Sequence, residues 1–233
     1  MLPFASSVYD NKILFGGYPN KDWFDILVDN NIKIFVDLTS ETEKINCNLY
    51  DYKKDAHDRK DLLFLNCSIP DNDIPENINE FKDFIKSLIE RILTLKYEEK
   101  IYIHCKGGHS RSGMFVASLL CFLCNITPEK SLYITTVAHA NRENLRSKWR
   151  HQKCPQLFRQ RKFVIDVFKP IIITPLLFQN KISNNLSSFL NETNIRPLRE
   201  KKDNHLLCDV LIHLRNLLFI SPNPSQVMIN CSA

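Results

Sequence analysis

One segment combines a cysteine and an arginine at a spacing that suits chemistry on a phosphate group. Residues 104–113 read His-Cys-Lys-Gly-Gly-His-Ser-Arg-Ser-Gly, with Cys105 and Arg111 six positions apart. The apolar residues 101–103 before it predict a buried strand, and the mainly apolar residues 114–120 after it predict a core helix. The N–H groups of such a loop, opening a helix, form a cradle for anions. A cysteine thiolate at its base is placed to attack phosphorus.

The polar residues of this segment are candidates for distinct roles. The planar guanidinium of Arg111 can bind two phosphate oxygens, which a lysine cannot do. The hydroxyl of Ser112 can donate a hydrogen bond to the sulfur, and His104 is expected to orient Cys105 from inside the fold. The other candidates for phosphate binding, through loop N–H groups or side chains at the rim, are Lys106, Gly107, Gly108, His109 and Ser110. Residues 105–111 are called the phosphate loop below.

Cleavage of a phosphate ester also needs an acid that protonates the leaving oxygen. Residues 69–75, called the acid loop below, read Ile-Pro-Asp-Asn-Asp-Ile-Pro and follow an apolar run at 62–65. Asp71 is the preferred general acid and Asp73 is the alternative. No metal and no other cofactor is expected, because Cys105 and Arg111 supply the nucleophile and the positive charge.

Strand and helix patterns alternate along most of the chain. Strands are predicted at 13–15, 32–38, 62–65 and 101–103, and helices at 75–97 and from Pro128, with a short helix capped by Asp22. Residues 41–61 are polar and predict a loop. The alternation indicates an α/β fold: a single, mainly parallel, twisted sheet of about four to five strands with helices on both faces. Cys105 then lies beyond the carboxyl end of its strand, where such sheets bind ligands.

Composition and charge narrow the class of protein and its environment. The 233 residues are 44% hydrophobic and 24% charged, as in soluble globular proteins. The N-terminus lacks a basic and then apolar leader, and the longest apolar stretch, 114–124, is too short to span a bilayer. We therefore expect no stable membrane insertion. The eight cysteines are then expected to be reduced thiols in a cytoplasmic or nuclear protein.

Positive charge is concentrated in one part of the chain. The net charge is +5, and residues 142–162, called the basic segment below, hold eight Lys and Arg residues against Glu143 alone. Such a segment predicts either a polyanionic partner, namely a phosphoprotein, RNA or an anionic lipid, or a solvated helix face.

The pattern His-Cys-x5-Arg-Ser resembles the signature of the cysteine-dependent protein tyrosine phosphatase superfamily, and the Lys-Gly-Gly filling resembles its dual-specificity branch. Residues 141–164 are similar to the versions found in large DNA viruses. The resemblance covers about residues 8–168, which predicts a catalytic domain at 1–170 and a C-terminal extension of unknown structure at 171–233.

This resemblance implies a protein phosphatase. Its substrate would be a phosphoprotein, and hydrolysis of phosphotyrosine, extending to phosphoserine and phosphothreonine, would pass through a cysteinyl-phosphate intermediate. The pattern Pro-Asp-x-x-x-Pro resembles the acid loop of the superfamily, which supports Asp71. In the same superfamily a glutamine often positions the attacking water, and Gln156 and Gln160 are the candidates here.

Three alternatives remain open at the level of the sequence. The same chemistry could act on an RNA 5′-triphosphate, which the basic segment favours. It could act on a phosphoinositide, since lipid phosphatases resemble this chain in having a lysine at the position of Lys106, although they usually have a second lysine where this chain has His109. The domain could also bind phosphate groups without turnover. The sequence does not indicate whether the protein is a monomer or an oligomer.

Overall fold

The computed structural model describes residues 2–169, and a five-stranded sheet forms its centre. The strands are β1 (Ala5–Val8), β2 (Ile13–Gly16), β3 (Ile32–Asp37), β4 (Leu63–Asn66) and β5 (Lys100–His104). Their order across the sheet is β1-β2-β5-β3-β4; β1 runs antiparallel to β2, and all other neighbours are parallel. The predicted mainly parallel sheet is confirmed. The extra edge strand, β1, was not predicted because its sequence, Ala-Ser-Ser-Val, is short and half polar. The predicted extension, residues 171–233, lies outside the described residues.

Helices cover both faces of this sheet, as predicted. Their bounds are α1 (Lys21–Asp29), α2 (Glu41–Asn46), α3 (Tyr52–Asp55), α4 (Ile78–Thr94), α5 (Arg111–Leu123), α6 (Pro128–Ala140), α7 (Ser147–Arg150) and α8 (Phe158–Val167). Alternate residues of β5 belong to two different apolar clusters. Ile101 and Ile103 pack with residues of α4, α5, α6 and α8, whereas Tyr102 packs with residues of α1 and with Tyr52 of α3. The sheet therefore separates two cores.

The helix boundaries follow from local capping. Thr127 caps α6, and Pro128 occupies its first turn, as predicted. The prediction that Asp22 caps α1 is wrong, because the side chain of Asn20 accepts the Trp23 N–H at 2.9 Å. Among residues 2–169, none of the helices combines the length and the apolarity that crossing a bilayer requires.

Residues 41–61, predicted to be a loop, contain the two short helices α2 and α3. Ser40 caps α2 by accepting the N–H of Glu43 at 3.1 Å, and Asp51 caps α3 by accepting the N–H of Lys54 at 3.2 Å. Both helices are too short and too polar to show an apolar period. Their importance is positional, since α2 carries Glu43 toward the end of β5.

The phosphate loop leaves the sheet at the carboxyl end of its central strand. β5 lies between β2 and β3, and the carbonyl of His104 accepts the N–H of Leu38 at 2.9 Å. The carbonyl of Lys106 accepts the N–H of Tyr18 at 3.1 Å, which ties the loop to the turn after β2. Both neighbouring strands therefore fix the position at which Cys105 begins the loop.

Candidate active site

Cys105 directly follows β5 and is 2% exposed. Its Sγ accepts a hydrogen bond from the N–H of Gly108 at 3.2 Å and lies 3.6 Å from Oγ of Ser112, which is buried in the first turn of α5. Both groups can donate a hydrogen bond to sulfur, and α5 directs its N-terminus toward the same loop. The arrangement stabilises negative charge on Cys105, as a nucleophile requires.

The carbonyl groups of the phosphate loop have hydrogen-bond partners outside it. A single guanidinium nitrogen of Arg142 donates to the carbonyls of Gly108 at 3.1 Å and Phe15 at 3.2 Å. The thiol of Cys154 donates to the carbonyl of His109 at 3.3 Å. Because these carbonyls are held by the surrounding protein, the N–H side of the loop is left to bind an anion.

Arg111 is 2% exposed and lies between the acid loop and α2. Its terminal nitrogens bind both carboxylate oxygens of Glu43, at 2.5 and 2.7 Å, and Nη1 donates to the carbonyl of Ile69 at 3.2 Å. Such a two-point pair fixes the plane of the guanidinium. Arg111 is therefore oriented by groups on two separate elements.

The acid loop brings one of its two aspartates to this arginine. Oδ1 of Asp71 lies 2.9 Å from Nη2 of Arg111, and the Asp71 side chain is 56% exposed. Asp73 instead pairs with Arg159 at 3.1 Å and accepts the N–H of Ile74 at 2.8 Å. Of the two aspartates, Asp71 is the one positioned next to Arg111, the side chain expected to bind phosphate oxygens.

Comparisons with known proteins identify the family of this chain. A family model described as "Polymorphic toxin system, DSP-PTPase phosphatase" matches residues 14–124. Protein 067L of Invertebrate iridescent virus 3, which carries the name of a tyrosine phosphatase, is 34% identical over 170 residues that cover 72% of this chain and 67% of 067L. The chain belongs to the tyrosine and dual-specificity phosphatase family. The resemblance stated from the sequence, including the viral versions, is confirmed.

Two further comparisons define the extent of this similarity. Protein 197R of Invertebrate iridescent virus 6, also named as a tyrosine phosphatase, is 41% identical over 137 residues, 59% of this chain and 49% of 197R. The chain thus spans about half the length of this relative. The crystal structure of Tk-PTP in its active form has a TM-score of 0.55 at 18% identity, covering 72% of this chain and 97% of Tk-PTP, so the two share the phosphatase fold.

The side chain of His109, a candidate for phosphate binding at the rim of the phosphate loop, contacts other residues of the protein. Its Nδ1 lies 2.8 Å from Nε2 of His139, and its ring stacks on Trp149 with centroids 4.4 Å apart. Burial, reinforced by nearby Arg142, lowers the pKa of His109 to about 4. The imidazole is therefore neutral at neutral pH and supplies no positive charge for an additional phosphate. Its backbone remains part of the phosphate loop.

Lys106 and His104 lie on opposite sides of the loop. Lys106 is exposed, and its Nζ lies 3.0 Å from Sγ of Cys47, which keeps a cation at the rim. His104 is fully buried, with Nε2 2.8 Å from the hydroxyl of Tyr52 and Nδ1 3.9 Å from Oδ1 of Asp37. Burial lowers the pKa of His104 to about 4, so this ring supports the site from behind as a neutral group.

The two glutamines considered from the sequence have structural contacts of their own. Gln160 of α8 is fully buried, and its Nε2 donates to the carbonyl of Asp73 at 2.7 Å, which anchors the acid loop to α8. Gln156 contributes its carbonyl to the guanidinium of Arg161. Gln160 thus holds the segment that carries Asp71, and the positioning of water by either glutamine stays a prediction.

Four site residues were missed by sequence reasoning: Glu43, Tyr52, His139 and Arg142. For Glu43 a signal existed, because Ser40-Glu41-Thr42-Glu43 has the form of a capping box that opens a helix. The other three reach the site through tertiary packing from α3, from α6 and from the residues after α6. No local pattern marks them.

Proposed function

We propose that this protein is a phosphatase that releases inorganic phosphate from phosphotyrosine in proteins, and from phosphoserine and phosphothreonine where the pocket admits them. The observation that carries the proposal is the convergence of three groups on one anion cradle. Sγ of Cys105 receives the N–H of Gly108, and Arg111, beside that cradle, is 2.9 Å from Asp71. This set contains a nucleophile, a guanidinium that neutralises the charge of the phosphate group, and an acid. Together these groups suffice for cleavage of a phosphate ester.

The reaction divides into two displacements at phosphorus. In the first, the Cys105 thiolate forms an S–P bond, the P–O ester bond breaks, and protonated Asp71 gives its proton to the leaving oxygen. In the second, water attacks phosphorus, Asp71 as carboxylate takes the proton, and the S–P bond breaks to release phosphate. Arg111 and the loop N–H groups hold the non-bridging oxygens in both steps. Ser112 stabilises the departing thiolate.

The basic segment supports an RNA substrate less than its composition suggests. Arg142 is 5% exposed and binds backbone carbonyls of β2 and of the phosphate loop. Arg150 donates to four backbone carbonyls in residues 140–145, and Arg161 donates to those of Pro155 and Gln156. Three of its cations are thus used inside the fold, which favours the protein substrate.

The deciding experiment measures phosphate release without divalent metal from three substrates: a phosphotyrosine peptide, a phosphoserine peptide and a triphosphate-ended RNA. The wild-type protein is compared with Cys105→Ser, which keeps the shape of the loop but removes the thiolate. We expect release from the phosphotyrosine peptide to fall by roughly 10⁴-fold or more in the variant.

Two other results would change the proposed function. Release of phosphate from the RNA alone would support the proposed mechanism but show that the substrate is RNA and not a phosphoprotein. No release from any substrate, with tight binding of the phosphopeptide by both proteins, would identify a binding module and reject the catalytic proposal.

A further inference from the structure

A partly buried hydrogen bond joins the phosphate loop to α6 and takes no part in the chemistry above. It links Nδ1 of His109 to Nε2 of His139 over 2.8 Å. His139 is 1% exposed, and its burial, together with nearby Arg142, lowers its pKa to about 3. Two neutral imidazoles at this distance share one proton, so one ring donates and the other accepts.

The second nitrogen of His139 decides which ring donates. Nδ1 of His139 is buried and has no hydrogen-bond partner within residues 2–169. A buried N–H without an acceptor is rarer in proteins than a buried acceptor without a donor. The proton of His139 is therefore assigned to Nε2, which donates to Nδ1 of His109. His109 then carries its own proton on Nε2.

The same part of the loop is restrained from other directions. The ring of Trp149 stacks on His109 with an interplanar angle of 16°. The carbonyls of Gly108 and His109 are bound by Arg142 and Cys154. The N–H of Gly108, one residue before His109, is the group that donates to Sγ of Cys105. A displacement of the His109 side chain is thus transmitted to the nucleophile across a single residue.

We propose that His139 is a positioning residue of the phosphate loop. Its Nε2–H holds the His109 imidazole, and the imidazole held in this way keeps the loop N–H groups directed at the bound oxyanion. The kinetic part of this proposal rests on the phosphatase function proposed above, whereas the binding part does not.

The test compares His139→Leu, which removes the hydrogen bond, with His139→Gln, which retains a side-chain N–H. Thr135→Val is the matched control, because Thr135 is buried on the same helix and donates within it, to the carbonyl of Ser131 at 2.8 Å. For each variant we would measure the affinity for orthovanadate by calorimetry, kcat and KM for p-nitrophenyl phosphate, and Tm.

We expect His139→Leu to weaken orthovanadate binding and to lower kcat by roughly tenfold each, the effect of one hydrogen bond, with little change in KM. His139→Gln should recover most of this loss. Thr135→Val should lower Tm and leave both the affinity and kcat unchanged. A fall in Tm for His139→Leu with unchanged orthovanadate affinity would mean a purely structural role and would overturn the proposal.

A double-variant cycle tests whether His139 acts through His109. In a His109→Ala background, His139→Leu should produce no further loss of orthovanadate affinity, and an undiminished loss there would reject the proposed route. If the wild-type protein binds orthovanadate but releases phosphate from no substrate, the proposed function fails, while the binding comparison still decides the role of His139. Absence of orthovanadate binding by the wild type would overturn both proposals.

Discussion

Two carboxylates share the guanidinium of Arg111 and differ in how firmly they hold it. Glu43 binds both terminal nitrogens and has a side chain that is 12% exposed. Asp71 binds one nitrogen and is 56% exposed. A buried two-point pair is strong and directional, whereas an exposed one-point pair contributes little. Glu43 therefore fixes Arg111, while Asp71 can leave it to protonate a leaving group.

Replacing Glu43 by glutamine should lower kcat/KM for p-nitrophenyl phosphate by about tenfold to a hundredfold, equivalent to about 1.4–2.8 kcal/mol. The amide keeps the shape of the side chain but loses the charge and one acceptor. The guanidinium of Arg111 is then less well oriented to bind phosphate. Glu41→Gln, on the same exposed helix and paired with Lys44, is the control in the steady-state assay. Equal losses in the two variants would contradict a specific role for Glu43.

The assignment of the general acid leads to a prediction that depends on the leaving group. Asp71→Asn should lower kcat for a phosphotyrosine peptide by about 10²–10⁴-fold. The loss should be much smaller for p-nitrophenyl phosphate, whose leaving group departs without a proton. Asp73→Asn should lower kcat by less than about tenfold with either substrate, because Asp73 pairs with Arg159. The reverse pattern would identify Asp73 as the acid.

At the scale of elements, the phosphate loop fits against the turn that follows β2. Gly108 has φ +73, and a Cβ added there would lie 2.4 Å from the nitrogen of Gly17 and 2.5 Å from the carbonyl carbon of Gly16. Those atoms are backbone, and the parallel pairing of β2 with β5 prevents the two segments from separating. Only glycine satisfies both the conformation and the contact.

Gly108→Ala should therefore reduce the free energy of unfolding by about 2–4 kcal/mol and abolish phosphate release. Gly107→Ala is the comparison, because a Cβ there meets only Cδ2 of His109, at 3.3 Å, which a small ring movement relieves. Urea unfolding of the two variants measures the difference. Similar free energies of unfolding for the two variants would show that the turn after β2 moves to make room for the added methyl group.

The elements also show which features a sequence can predict. The helix α4 and the parallel strands were predicted because their apolar residues repeat at the spacing of a helix or form buried runs. The helices α2 and α3 were not, because they are short and polar and are held by side-chain caps. The same division applies to the site. Cys105, Arg111 and Asp71 belong to local motifs, whereas Glu43 and His139 contact the loop only in the folded chain.

At the scale of the whole molecule, three histidines are held in neutral form inside the described domain. The pKa values of His104 and His109 are lowered to about 4, and that of His139 to about 3, first of all by burial. In an unfolded chain the same side chains titrate near 6.5. Between these values the unfolded chain binds protons that the folded protein does not.

Stability should therefore be unaffected by these groups above about pH 6.5 and should fall as the pH drops toward 4. For the fully buried His104 alone, the loss at pH 4 is of the order of 3 kcal/mol. Urea unfolding at several pH values from 8 to 4 measures this slope. His139→Gln should reduce it, because the variant lacks one of the three buried imidazoles. A flat profile in this interval would show that the three side chains are protonated in the folded protein.

The central place of β5 has a consequence for how the chain reaches its native state. Ile13 of β2 and Ile34 of β3 both pair with Ile101, so the two halves of the sheet are joined by the last strand in sequence order among residues 2–169. Contacts between such distant positions close long loops and are made slowly. During synthesis, β2 and β3 can be joined into one sheet only after β5 has emerged, because β5 lies between them. Because Cys105 is the next residue after β5, we expect the reactive thiol to be assembled in the same late step that completes the sheet.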